Sequence, residues 1–89
     1  MPEAFVCINA SPNLIEKVFQ EIKACKEVQE TFRVHGVYDI IARVNGETFE
    51  DLNNVINTRI KSLNQVQTVL SMLMIEPKNP IQKGELLLV

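Results

Sequence analysis

The sequence predicts an α+β sandwich in which a four-stranded antiparallel sheet carries two helices on one face. Its 89 residues, of which 46% are hydrophobic and 22% charged, suit one globular domain. Apolar residues recur with strand patterns in four segments and at helical spacing in two, in the order β-α-β-β-α-β. A short turn around Gly36 separates the second and third strand segments, which predicts an antiparallel hairpin.

The first two elements are a buried strand and a helix. Residues 3–10 are apolar on both alternating faces, which is typical of a strand that is covered on both sides. Ser11 suits a helix N-cap and Pro12 the first helical position. Apolar residues then repeat at helical spacing, so we predict a helix from Pro12 to about Cys25.

The predicted hairpin comprises residues 27–35 and 38–44. In its first strand, alternation places Val28, Phe32 and Val34 on one face, and Glu30 interrupts this apolar set. We therefore expect a half-exposed strand near an edge of the sheet. At most two or three linking residues, including a glycine, are expected to join it to the next strand.

A second helix and a fourth strand complete the pattern. Thr48, followed three residues later by Asp51, fits a helix N-cap with an acid in the first turn, and an apolar stripe predicts a helix from about Phe49 to Leu63. Residues 66–76 form the fourth strand, and we assign residues 1–76 to the domain and 77–89 to a C-terminal tail. Right-handed crossovers place the first and third strands at the centre, which is the ferredoxin-like βαββαβ arrangement.

Charge and hydropathy exclude several classes of partner. The formal net charge is −2 and the pI about 5.3, whereas free-standing nucleic-acid binders usually have a basic face, so we expect no direct nucleic-acid binding. The strongest apolar run, residues 66–75, is about half as long as a membrane helix requires. The N-terminal residues lack a basic segment, so we expect no signal peptide and a cytoplasmic location.

Three of the four predicted strands are apolar on both faces, although the two helices can cover only one face of the sheet. A monomer would leave the second face in water as a larger apolar patch than soluble monomers usually expose. The sequence therefore predicts a homodimer, or a larger ring of dimers.

Few side chains suggest catalysis or metal binding. Cys7 and Cys25 show no paired spacing, so we interpret them as buried free thiols, and His35 as a solvated loop residue. The three glycines are isolated, which argues against a phosphate-binding loop, and we recognise no combination of nucleophile and base. We therefore expect no enzyme activity, no metal and no cofactor.

The segment Gly36-Val37-Tyr38-Asp39 is the one local feature that indicates a ligand. Glycine permits a close backbone approach, tyrosine offers a flat apolar body with a polar tip, and aspartate brings a carboxylate to the end of a central strand. Such a group can hold a small zwitterion, with the carboxylate on its ammonium. A plain hairpin with a cross-strand aspartate explains the same residues equally well.

The sequence resembles the effector-binding RAM domain of the Lrp/AsnC family of prokaryotic regulators. The resemblance covers about residues 4–76 and is carried by the opening AFVCI, the hairpin FRVHGVYDIIARV and the closing LNQVQTVLSMLMI. It implies the same βαββαβ fold, sheet-to-sheet pairing, rings of dimers, and amino acids bound between dimers near the hairpin. Most members carry an N-terminal helix-turn-helix, so this chain looks like a stand-alone RAM protein that could modulate a full-length regulator by mixed assembly.

The resemblance also assigns an effector site. Gly36, Tyr38 and Asp39, with Val37 between them, fall on the effector loop, and Ser71 falls where the closing strand usually has a threonine. Val69 departs from the family pattern, which often has another threonine there. Two alternatives remain open: a small dimeric enzyme of the ferredoxin-like α+β barrel type, and a structural subunit without a ligand. The enzyme would need a pocket between helices and sheet with a polar side chain pointing into it.

Overall fold

The structure, a computed structural model, describes residues 2–74 and 86–88 and contains a five-stranded antiparallel sheet with two helices on one face. The strands are β1 (Glu3–Ala10), β2 (Val28–Arg33), β3 (Ile40–Asn45), β4 (Val66–Met74) and β5 (Leu86–Leu88), in the sheet order β2-β3-β1-β4-β5. The ferredoxin-like order β2-β3-β1-β4, with the first and third strands inside, is confirmed.

The helices are shorter than the sequence predicts. The first begins as a 3₁₀ turn, Pro12–Leu14, and continues as α1 (Ile15–Lys23), and the Ser11 side chain makes no cap hydrogen bond. The second, α2 (Phe49–Val55), continues into a π-helical turn, Ile56–Ile60. Its N-cap is confirmed, because Thr48 Oγ1 accepts a hydrogen bond from the Asp51 N–H at 3.1 Å.

The core lies between the helices and one face of the sheet. Alternate residues of β1 and β3 face the helices and are buried, as the sequence pattern predicts. The helices contribute aliphatic side chains at helical spacing. The buried core cluster consists of Ala4, Val6, Ile8, Ala10, Val18, Ile22, Ile40, Ala42, Val44, Leu52, Ile56 and Ile60.

The opposite sheet face, here called the open face, is also rich in apolar side chains, as predicted. Strand register places these side chains next to one another across β1, β3 and β4: Phe5, Cys7, Ile41, Leu70, Met72 and Met74. At one end, the open face carries a charged row, in which Arg43 contacts Glu3 at 3.3 Å and Glu30 at 2.8 Å.

A bulge in β2 corrects one prediction. The register shifts between Val28 and Glu30, so Gln29 is the extra residue. Val28 pairs with buried Val44 and packs against the core, whereas Phe32 pairs with Ile41 on the open face and is 46% exposed. The predicted common face of Val28 and Phe32 is therefore wrong, because a one-residue bulge reverses the alternation. The edge position of β2 is confirmed.

Strand β5 was not predicted. Leu86, Leu87 and Leu88 pair with Met74, Leu73 and Met72, so part of the segment assigned to the tail extends the sheet beyond β4. The predicted end of the fourth strand, residues 75–76, lies outside the described residues. The end of the chain thus covers an edge that four strands alone would leave open.

Candidate functional site

The loop between β2 and β3, residues 34–39, contains most of the predicted site. It has six residues, so the expectation of two or three was wrong, and it is closed by a hydrogen bond from the Val34 N–H to the Asp39 carbonyl at 3.0 Å. Gly36 has φ +155°, a conformation that side chains rarely adopt, and an added Cβ would meet no atom within 4 Å. Backbone conformation, rather than lack of space, therefore favours glycine here.

Asp39 joins this loop to the end of β1 through both its backbone and its side chain. Its N–H donates to the Ile8 carbonyl at 3.0 Å, and its Oδ2 accepts from the Ala10 N–H at 3.1 Å. With the Val34 bond, three polar groups of Asp39 hold the loop to the sheet. This contact joins segments 29 residues apart, which explains why the sequence did not reveal it.

The exposure of the loop divides it into a tip and a base. Val37 is 83% exposed at the tip, whereas Tyr38 and Asp39 are half-buried against the end of the sheet. At the same end, the Ser11 N–H donates to the Gln65 carbonyl at 3.0 Å. The β2–β3 loop, the segment that follows β1 and the segment that precedes β4 therefore meet near the Asp39 carboxylate.

Ser71, the remaining predicted site residue, lies elsewhere. It pairs with Val6 in the middle of the sheet, on the face that the helices cover, and is 4% exposed. Among the described residues its Oγ has no hydrogen-bond partner. Val6 is four residues from Ala10, or about 13 Å along the strand, so a single chain does not bring Ser71 to the loop. Its assignment to the effector site stays a prediction.

The two cysteines are free thiols in different surroundings. Cys7 lies on the open face but is only 6% exposed, and burial raises the pKa of its thiol. Cys25 is half-buried, and its Sγ contacts the Glu21 carbonyl oxygen at 3.6 Å. Within residues 2–74 and 86–88, no group of three or more His, Cys, Asp and Glu side chains is placed to hold a metal ion.

The described residues also form two concave sites that the sequence did not predict. An apolar pocket of about 220 Å³ lies between α2 and the sheet, and Asn53 supplies its polar side chain while Phe49, Leu52 and Leu73 supply apolar ones. A polar groove of about 720 Å³ lies at the opposite end of the sheet from the loop and is lined by residues within 26–29, 45–47 and 51–55. Since three distant segments form it, no local sequence pattern could reveal it.

In the part of the chain that the structure describes, no helix is long and apolar enough to cross a membrane.

Comparison with solved structures identifies the same fold in proteins of similar length. FFRP-DM1 aligns with a TM-score of 0.82 and 29% identity, over 84% of this chain and 100% of that one. TTHA0845 from Thermus thermophilus also gives 0.82 and 29%, over 89% and 99% of the two chains. The transcriptional regulator NMB0573 from Neisseria meningitidis, solved as a complex with L-Met, gives 0.76 and 15% over 88% and 52%, which shows the fold alone. A search of curated proteins finds none that matches this chain.

The family comparison agrees with the resemblance seen in the sequence. Residues 3–82 match the family model described as the Lrp/AsnC ligand binding domain. This range includes the loop, the sheet order β2-β3-β1-β4 and both helices. The chain therefore belongs to the family of Lrp/AsnC ligand-binding domains.

Proposed function

We propose that the chain senses an amino acid, which binds at the loop formed by Gly36, Val37, Tyr38 and Asp39. The observation that carries this proposal is the half-buried Asp39 carboxylate, held at the end of the sheet within a ligand-binding domain. A carboxylate in that position suits an ammonium group, since charge-assisted hydrogen bonds are the stronger ones. The L-Met complex of NMB0573 supports an amino acid as the class of ligand.

Each residue of the loop is proposed to contact a different part of the ligand. Oδ2 of Asp39 is occupied by the Ala10 N–H, so Oδ1 is the oxygen that would accept from the ligand's ammonium. Tyr38 would cover the ligand's apolar part, and the Gly36 and Val37 backbone, at the exposed tip, would approach its carboxylate. Ser71 would contribute a hydroxyl only after a rearrangement, since in each copy the helices of the same chain cover it.

The proposed active form is a homodimer, or a ring of dimers, that associates through the open face. In the single chain, its aliphatic and thioether side chains remain partly exposed, and Phe32 extends the apolar surface to the edge. Burying this face against a second copy removes the patch from water. A mass of about 10 kDa by light scattering at micromolar concentration would refute this assembly; the chain itself has 10.1 kDa.

The same proposal makes the protein a regulatory module rather than an enzyme. The pocket between α2 and the sheet has one polar side chain, the amide of Asn53, which cannot act as an acid or a base, so this pocket offers the barrel-type enzyme no proton-transfer group. Residues 1–76 would form the binding unit, with β5 returning from the tail to the sheet. A full-length Lrp/AsnC regulator is the proposed partner for mixed assembly, and the free thiols suit the reducing cytoplasm.

A thermal-shift screen against the twenty amino acids, with L-methionine as the first probe, tests the proposal. A ligand that binds only the folded state at 100 times its Kd stabilises it by about 2.7 kcal/mol. We expect one or a few amino acids to raise the melting temperature and the others to leave it unchanged. If none raises it at millimolar concentration, the protein is better described as a structural subunit.

A further inference from the structure

Three polar side chains form a row across the end of the open face that lies beside the β2–β3 loop, here called the polar row. Asn9 follows Cys7 by two residues on β1 and therefore shares its face, and its register partner on β4 is Thr68. Asp39 lies on the other side of β1, where its Oδ2 accepts from the N–H of Ala10, the residue after Asn9. The polar row therefore consists of Asp39, Asn9 and Thr68, each next to the following one across neighbouring strands.

The polar row differs from its neighbours on the open face. The next row along the strands is apolar and consists of Ile41, Cys7 and Leu70. Within residues 2–74 and 86–88, no side-chain hydrogen bond involves Asn9 or Thr68, although Asn9 is half-buried. The Asn9 amide and the Thr68 hydroxyl therefore retain their donors and acceptors for a ligand.

A bulge in β4 lies directly beside the polar row. Asn9 pairs with Thr68, but Ala10 pairs with Val66, so Gln67 is the extra residue. Uninterrupted alternation would place Val66 on the same face as Thr68, whereas the bulge lets Val66 pack against the core. Bulges are frequent next to functional sites, where they change the direction of a side chain. The sheet is thus irregular at the end of β1 that Asp39 contacts.

The chemistry of the polar row suits a side-chain amide. Asp39 supplies the only charge of the row, and the ligand's ammonium would balance it. Asn9 and Thr68 are neutral, so they favour a ligand whose own side chain is polar but uncharged. A primary amide contains both donors and an acceptor, so it can form reciprocal hydrogen bonds with the amide of Asn9 and a further one with the hydroxyl of Thr68. An aliphatic side chain would displace water from these groups without replacing its hydrogen bonds.

We propose that Asn9 and Thr68 determine the specificity of the effector site and select an amino acid that carries a side-chain amide, asparagine or glutamine. This inference rests on the proposed contact between Asp39 and the ligand's ammonium, and it adds the residues that contact the ligand's side chain. Because Asp39 joins the loop to β1, a ligand held by Asp39 lies within reach of both the loop backbone and the polar row. The second copy on the open face would cover the row, which a single chain leaves exposed at Thr68.

Calorimetric titration with two pairs of amino acids of similar size tests this proposal. Asparagine is compared with leucine, and glutamine with methionine, since the members of each pair differ mainly in side-chain polarity. We expect the native protein to bind at least one amide about 10-fold more tightly than its apolar counterpart. Asn9→Leu and Thr68→Val, which keep the side-chain size, should each weaken binding of that amide about 5- to 10-fold and change binding of its counterpart less than about 2-fold.

Two further variants separate specificity from amino-acid binding itself. Asp39→Asn should weaken binding of both members of a pair alike, because both carry the ammonium group. Asn54→Leu is the matched control, since it makes the same change as Asn9→Leu at an exposed residue of α2, on the other side of the sheet. It should change every affinity less than about 2-fold.

The outcomes distinguish this inference from the proposed function. If leucine or methionine binds as tightly as the amide of its pair, or if Asn9→Leu weakens both members of a pair equally, the assigned specificity is wrong although the protein binds an amino acid. If only amino acids without an amide bind, the specificity is wrong in the same way. If none of the twenty amino acids binds, the proposed function itself fails and this inference fails with it.

Discussion

Substituting Asp39 separates its structural contact from its proposed contact with a ligand. In the structure its Oδ2 accepts from the Ala10 N–H at 3.1 Å. Asparagine retains an oxygen that can accept this bond, so Asp39→Asn should lower the free energy of unfolding by only about 1 kcal/mol, the difference between a charged and a neutral acceptor. Asp39→Ala leaves the Ala10 N–H without this acceptor and should cost about 1–3 kcal/mol.

The expected effect on ligand binding is larger than the effect of asparagine on folding. If Asp39 accepts from the ligand's ammonium, Asp39→Asn removes a charge-assisted bond of about 1.5–3 kcal/mol, which corresponds to a loss of roughly 10- to 150-fold in affinity. The asparagine variant should therefore melt within about 4–8 °C of the native protein yet bind the effector much more weakly.

Two measurements decide between these roles: thermal melting without ligand, and calorimetry with the amino acid that gives the largest thermal shift. Melting is compared at equal protomer concentration, since the stability of an oligomer depends on it. Glu50→Gln, which removes a charge far from the loop, serves as the control. Lowered melting with unchanged affinity in Asp39→Asn would refute the ligand contact and leave Asp39 as a residue that holds the loop to β1.

Three further predictions concern packing, assembly and pH. Gly46→Ala should lower the free energy of unfolding by about 1–3 kcal/mol or more, because the added Cβ meets backbone atoms of α2. Gly36→Ala should lower it by about 1 kcal/mol, because only the φ of +155° opposes the substitution. Denaturant unfolding of the two variants measures both changes. Ile41→Lys on the open face should give monomers in light scattering, while Phe49→Lys, at a residue 63% exposed on α2, should not. Burial raises the pKa of the Cys7 thiol above 9.0. The neutral thiol therefore contributes its full stabilisation below that pH, and this stabilisation is lost as the pH rises through the folded-state pKa. Cys7→Ala should reduce the decrease in unfolding free energy that is measured as the pH rises above 9.0.

Local patterns in the sequence were sufficient to predict the order of elements and most of their faces. In β1 and β3, and in β4 beyond the irregularity at Gln67, the side chains alternate, so the buried set can be read from every second residue. The Thr48 cap depends on residues three positions apart, and the structure confirms it. The apolar open face also follows from this alternation, which is why an assembly can be predicted before any contact is seen.

The bulge in β2 and the presence of β5 depend on contacts between segments that are distant in the sequence. The bulge at Gln29 arises only when β2 pairs with β3, and it moves Phe32 to the open face against the pattern of its own strand. Strand β5 forms because the edge of β4 is available to Leu86–Leu88, which no local pattern states.

The β2–β3 loop and the polar groove differ in how much of each could be predicted from neighbouring residues in the sequence. The sequence drew attention to the loop because Gly36, Tyr38 and Asp39 are neighbours in the chain, but only the fold showed that Asp39 is bonded to Ala10, 29 residues earlier. Alternation in β4 already indicated that Ser71 shares the helix-covered face with Leu73. The polar groove required the tertiary structure entirely, because Glu27, Asn45 and Asp51 approach one another only when a strand end, a turn and a helix pack together.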